Sequence, residues 1–220
     1  MKKVIILLFV TILLSCINRN NIIFRPAPDF WDEPDKIIIP VENIIESKSG
    51  QGNENLPEWL LIYINYGIHE LENSGIFPEK YSFIESAEGR NFDVLNKWIT
   101  NFSVSQDFRK QPADRIERKM LSVAALYPDD EYGLFFEEMI KKAFNKEYTD
   151  AVIEDTYWIM KKSENNTTET YIFYILINID KKSLQDMIFK MTEEVLNSVT
   201  PARQQRNSIR RLQQNFFEGF

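Results

Sequence analysis

Cysteine and histidine are almost absent from this sequence, with one of each among 220 residues. A single thiol excludes an intramolecular disulfide and a thiolate metal cluster. A single histidine, His69, leaves no partner for a His-Glu-x-x-His zinc site and allows a Ser-His-Asp triad only with His69 as its base. No Gly-x-Ser-x-Gly turn accompanies it, and the Walker loop and the dinucleotide glycine fingerprint are missing as well. These gaps leave zinc hydrolysis, redox exchange and nucleotide binding without an anchor, and no cofactor is implied. Glycine is scarce too, at seven residues, which predicts regular structure in place of long flexible loops. Basic residues are outnumbered 26 to 33, and an acidic chain of formal charge −7 is a poor fit to nucleic acid. The fold must therefore stand on its apolar core, to which 16 Phe, 9 Tyr and 4 Trp bring large areas per residue.

What is present begins at the N-terminus. Lys2 and Lys3 precede an apolar run from Val4 to Leu14 in which Thr11 is the only polar residue. That run is too short to span a bilayer comfortably. Leu13-Leu14-Ser15-Cys16 has the form of a bacterial lipobox, and the segment resembles a lipoprotein signal peptide. The resemblance implies cleavage before Cys16, loss of residues 1–15, acylation of the Cys16 sulfur and capture of the chain on a membrane of the cell envelope. The outer membrane or periplasmic face suits such an anchor better than the cytoplasm. A plain signal peptide or signal anchor with an incidental cysteine is the alternative.

Residues 16–55 read as a lipidated tether. Pro26, Pro28, Pro34 and Pro40 interrupt regular structure, and Ser47 to Asn55 is polar and contains glycine. Phe30-Trp31 and Ile37-Ile38-Ile39 with Val41 are apolar enough to pack back on the body or form a short strand. The folded body is expected over residues 56–200. Leu60, Leu61, Ile64, Ile68 and Leu71 predict a helix from Pro57, ended by Gly75 and Pro78. A short strand at Tyr81–Ile84 follows, then helices on Phe92, Leu95, Ile99 and Phe102, on Ile116, Met120, Val123 and Tyr127, and on Phe135, Phe136, Met139, Ile140, Ala143 and Phe144.

The period then changes. Residues 151–161 and 170–179 are rich in β-branched and aromatic side chains and predict an antiparallel hairpin. Its second strand, Tyr171–Ile177, is apolar on both faces and should be the most buried. Leu184, Met187, Ile188, Met191, Val195 and Val199 predict another helix. Thr200 and Pro201 read as the cap and first residue of a last, arginine-rich helix over 201–220. Helices on a small antiparallel sheet in one domain give an α+β fold.

Pro57-Glu58-Trp59, Tyr81-Ser82-Phe83-Ile84, Asn91 to Trp98 with Phe102, Tyr127 to Phe136, and the Trp158 strand with its Tyr171–Asp180 partner resemble uncharacterised lipoproteins of treponemal spirochaetes. The order of elements is more remotely similar to small Helicobacter-type twenty-kilodalton surface lipoproteins, from which the helices between Ser103 and Tyr148 depart. The resemblance implies an α+β lipoprotein of spirochaete type and carries no activity with it.

Three clusters have chemistry to weigh. Asp129, Asp130 and Glu131 lack the ordered ligands of a calcium loop and read as caps of the helix that follows. Asn165-Asn166-Thr167-Thr168 matches a glycosylation pattern in the wrong context and reads as hairpin loop. On the last helix, Ala202, Ile209, Leu212 and Phe216 form a stripe about 80° wide, with Arg203, Arg206 and Arg210 beside it and Arg211 further round. Arg203, Arg206, Arg210, Arg211, Phe216 and Phe217 are thus a candidate interaction surface, docking on the body's own carboxylates, on anionic lipid or on an acidic partner. The functional expectation is a lipid-anchored envelope protein that binds or supports, with the membrane and an envelope protein as partners. An envelope hydrolase with paired carboxylates is the alternative from another class.

Overall fold

Ile172 to Ile179 is apolar except at Asn178, and a strand apolar on both faces needs cover on both sides. The fold supplies it. The computed structural model describes residues 43–52, 56–162 and 168–220. Five strands, β1 (Ile44–Ser47), β2 (Gly50–Gln51), β3 (Lys80–Gly89), β4 (Val152–Lys162) and β5 (Glu169–Asp180), form one antiparallel sheet in the order β2-β1-β4-β5-β3. β5 pairs with β3 over Tyr171–Asp180 (Lys80↔Asp180 to Gly89↔Tyr171) and with β4 over Glu169–Asn178, and every residue from Ile172 to Ile179 is buried.

Among the described residues eight helices pack on or beside the sheet, giving an α+β fold. On one face, α1 (Glu58–Tyr66) and α2 (Ile68–Asn73) place Trp59, Leu60, Ile64 and Leu71 against Ile84, Tyr157, Ile159, Ile172, Tyr174 and Leu176. The other face meets α5 (Lys110–Ala125), α6 (Phe135–Asn145), α7 (Lys181–Val199) and α8 (Arg203–Asn215), whose Ile116, Met120, Met139, Ile188, Leu212 and other apolar residues cover Tyr81, Phe83, Ile175, Ile177 and Ile179. Between β3 and α5 run α3 (Phe92–Asn101), capped by the Asn91 side chain on the Val94 N–H, and the single turn α4 (Val104–Asp107). Phe92 sits edge-on to Trp158, Tyr171 and Phe173 and closes the hairpin end of the sheet.

Several local expectations give way to packing. The helix predicted from Pro57 through Leu71 breaks at Gly67, whose φ of 87° is open to glycine at little cost. The break lets Leu71 turn in under the sheet, where it is fully buried. The strand predicted at Tyr81–Ile84 runs ten residues because β5 offers a partner for each of them. The tether reading is corrected for Ile44–Gln51: β1 pairs with β4, and the buried Tyr157 hydroxyl is hydrogen-bonded with Ser47 Oγ (3.2 Å) and Ser49 Oγ (2.8 Å). A polar, turn-rich stretch thus folds as a hairpin on the sheet edge. Cys16, residues 1–15, Phe30-Trp31, Ile37–Val41 and the Asn165–Thr167 part of the hairpin loop lie outside the described residues.

Sheet edges are shielded. β3's outward Ser82 N–H is accepted by Glu72 Oε1 (2.8 Å), and its Ile84 carbonyl accepts from Gln111 Nε2 (2.6 Å). β4 carries a bulge between Ile153 and Asp155, where the Asp155 carboxylate accepts from the Trp59 indole (2.9 Å) and the Thr156 N–H (2.7 Å). A bulge and inward-turned charge are common devices against edge pairing.

Candidate functional site

The last helix is set by the turn before it. Thr200 adopts a left-handed φ of 42°, ends α7 and turns the chain back; Pro201 is buried. Pro201 is not the first helical residue as predicted: α8 begins at Arg203, and the Ala202 N–H donates to Gln205 Oε1 at 3.0 Å. Ile209, Leu212 and Phe216 then point into the principal core, where each is buried. α8 is therefore not separable from the body, because its apolar stripe is part of the core.

Polar contacts fasten the same segment. The Arg211 guanidinium donates to both oxygens of Asp130, with Nε at 3.0 Å from Oδ2, although the Asp130 side chain is only 8% exposed. Hydrogen bonding from Arg211 holds the Asp130 carboxyl below the usual carboxylate range, and Asp130 in turn raises Arg211. Tyr132 has its hydroxyl buried beside them, and burial, then the Asp130 charge, pushes it up to about 12. The capping role expected of Asp129–Glu131 is thus corrected: α6 starts at Phe135, four residues beyond Glu131, and Asp130 is fixed on α8 instead.

Beyond α8, Lys119 Nζ donates to the Glu218 carbonyl, and burial lowers the Lys119 ammonium from its ordinary value. Phe220 packs edge-on to Tyr81 at 5.1 Å. Arg115 lies 4.8 Å from both ring centroids and makes a two-pronged bond to Glu72, at 2.7 and 2.9 Å. No spacing in the sequence announces this site, because Glu72 and Arg115 are 43 positions apart and come from opposite layers.

The structure divides the predicted interaction surface. Phe216 is buried, Phe217 is half-buried against Phe189 (5.2 Å), and Arg211 is committed to Asp130, so these three belong to the body. Arg203, Arg206 and Arg210 remain on the solvent face. Between α6, α7 and α8 a cleft lined by Met139, Ile188, Phe189, Gln213 and Phe217 leaves about 10 Å³ for a water centre, room for roughly one water. His69 lies elsewhere, exposed on α2 with its Nε2 3.1 Å from Asn73 Nδ2. Among the described residues no three His, Cys, Asp or Glu side chains gather as metal ligands, and no helix is long and apolar enough to cross a membrane. No family model matches the chain, and no curated protein or solved structure is similar to it at a significant level.

Proposed function

We propose that this chain is a lipid-anchored protein of the cell envelope, of spirochaete lipoprotein type, with a binding or supporting role. The observation that carries the reading is the lipobox Leu13-Leu14-Ser15-Cys16 behind Lys2, Lys3 and an apolar run, joined to a body that offers chemistry little purchase. Its one histidine is exposed and faces an amide, and its densest acidic run spends Asp130 on an ion pair. A receptor for large surfaces fits this body better than a hydrolase, whose paired carboxylates need a shared pocket. Outer-membrane or periplasmic placement and an envelope protein partner belong to the same proposal.

Metabolic labelling with palmitate in a lipoprotein-processing bacterium tests it. Label should enter the wild-type chain, vanish in Cys16→Ser, and accompany loss of residues 1–15 by mass spectrometry. Label persisting in Cys16→Ser sinks the anchor.

A further inference from the structure

The stripe of α8 that faces away from the core has a chemistry of its own. Arg203, Asn207, Arg210 and Gln214 follow at spacings of four, three and four, which puts them on one face, and all four are exposed. Arg206 flanks them; its Nε donates to the Pro201 carbonyl at 2.9 Å, which steadies the guanidinium and leaves the terminal nitrogens to the outside. Among the described residues none of Arg203, Arg206 and Arg210 lies in ion-pair range of a carboxylate. On a chain with 33 acidic residues, three unneutralised guanidiniums on one helix face create a local field of opposite sign.

We propose that Arg203, Arg206 and Arg210 dock this face on anionic lipid phosphates of the membrane that holds acylated Cys16. The inference rests on the lipoprotein reading. Guanidinium forks match phosphate oxygens two at a time, which suits arginine at all three positions. The apolar side of α8 is consumed by the core, so the helix does not insert and the contact stays at headgroup level. An acidic protein partner is disfavoured by the composition of the same face: a protein interface centres on buried aromatic anchors, and here the arginines alternate with Gln204, Asn207 and Gln214.

The anchor makes a weak contact sufficient. The 26 residues between Cys16 and Asn43 cap the distance from anchor to body at about 90 Å. Tethering turns the contact into an intramolecular one at high effective concentration. An anionic surface repels the acidic remainder and selects the arginine face.

The test uses the acylated chain in vesicles. The acylated Cys16 has no free thiol, so Asn207→Cys takes a single fluorophore on the arginine face, and a headgroup-labelled quencher lipid reports its approach. Quenching should be strong with phosphatidylglycerol present, weak on phosphatidylcholine alone, and lost at high salt. Changing Arg203, Arg206 and Arg210 together to Gln should lower the ratio of docked to undocked protein on the order of 100-fold while flotation with the vesicles is retained. A thermal midpoint equal to that of the parent confirms that the triple variant is folded. Quenching that survives the triple change, or that is equal on both lipids, overturns the docking face while the anchor stands. Flotation on phosphatidylcholine that survives Cys16→Ser overturns the anchor and the proposal built on it.

Discussion

The two faces of the sheet are closed by different means. The face under α1 and α2 is covered by one contiguous stretch, Leu56 to Phe77, with Ile44 beside it, and its polar bonds run from helix to strand or strand to strand: Trp59 on Asp155, Glu72 on the Ser82 N–H, and Ser82 Oγ on buried Asn178 at 2.8 Å. The face under α5 to α8 is assembled from helices spread over Lys110 to Asn215, and polar fasteners punctuate it: Arg211 on Asp130, Lys119 on the Glu218 carbonyl, Lys142 on Glu194 at 2.6 Å. Where the covering helices are neighbours in sequence, the short connection places them relative to each other, and their directed bonds go to the strands. Where they return from a hundred residues away, burial alone permits sliding, because apolar contact is non-directional. Directed bonds then select one arrangement. The layers meet at the β3 edge, where Glu72 of α2 grips Arg115 of α5.

The largest test strips one face and leaves the other. Truncation after Thr200 removes Ile209, Leu212 and Phe216 from the core, at roughly 1.5–3 kcal/mol for each buried side chain. The sum is comparable with the whole stability of an ordinary domain, about 5–15 kcal/mol. The truncated chain should bind a hydrophobic dye and lose its cooperative thermal transition. Leu60→Ala, on the opposite face, should cost only about 2–5 kcal/mol and keep a cooperative transition. A truncated chain that melts like the parent shows that α8 only rests on the surface.

The seam between the faces gives the next effect. Glu72 is 8% exposed and accepts from Arg115 and from the Ser82 N–H, whereas Arg115 is 19% exposed and lies against both the Tyr81 and Phe220 rings. Glu72→Gln leaves the guanidinium without its counter-charge and should cost about 2–4 kcal/mol in urea unfolding, discounted for the exposed part of Arg115. Glu138→Gln, which breaks the exposed pair with Lys141 at 3.5 Å, should cost under about 0.5 kcal/mol. Equal costs at the two sites remove the special standing of the seam.

Much of this architecture is legible in the residues. The β5 run announces burial on both sides, the paired apolar residues of α6 announce a core helix, and the apolar stripe of α8 announces its docking face. What is not legible is choice among partners. Gly67 inside a helical pattern is compatible with a continued helix, and only the need to turn Leu71 under the sheet selects the break. Ser47 to Gln51 is polar by any measure, and becomes structure because Tyr157 and the β4 edge stand ready for it. Asp130 has the composition of a cap, and its neighbour in space, Arg211, is 81 positions away. Of the candidate surface, the sequence places all four arginines on one helix; which of them meets a carboxylate depends on the fold.

The smallest effect separates two carboxyls on the fastened face by the sign of their pH dependence. Asp130 is held low by Arg211, so its native pKa lies below its unfolded value of about 3.9. The native state then binds fewer protons through that window, and the stability the pair contributes is fully present above the unfolded pKa and lost as pH falls through the native one. Glu85 is the reverse: burial raises its carboxyl, with a hydrogen bond from Gln111 opposing. Its penalty is complete above the native pKa and disappears as pH falls below the unfolded value of about 4.3. Asp130→Asn should therefore lower Tm at pH 7 and converge on the parent under acid conditions, while Glu85→Gln should raise Tm at pH 7 and converge likewise. Both shifts should be no more than about 2–4 °C, since Asp130 is paired with a largely exposed guanidinium and Glu85 is half-buried. Thermal melts of the two variants from neutral pH downward decide it. A Tm at pH 7 that does not fall in Asp130→Asn would show that the Arg211 bond does not fasten α8, and one that does not rise in Glu85→Gln would show that burial of that carboxyl carries no penalty.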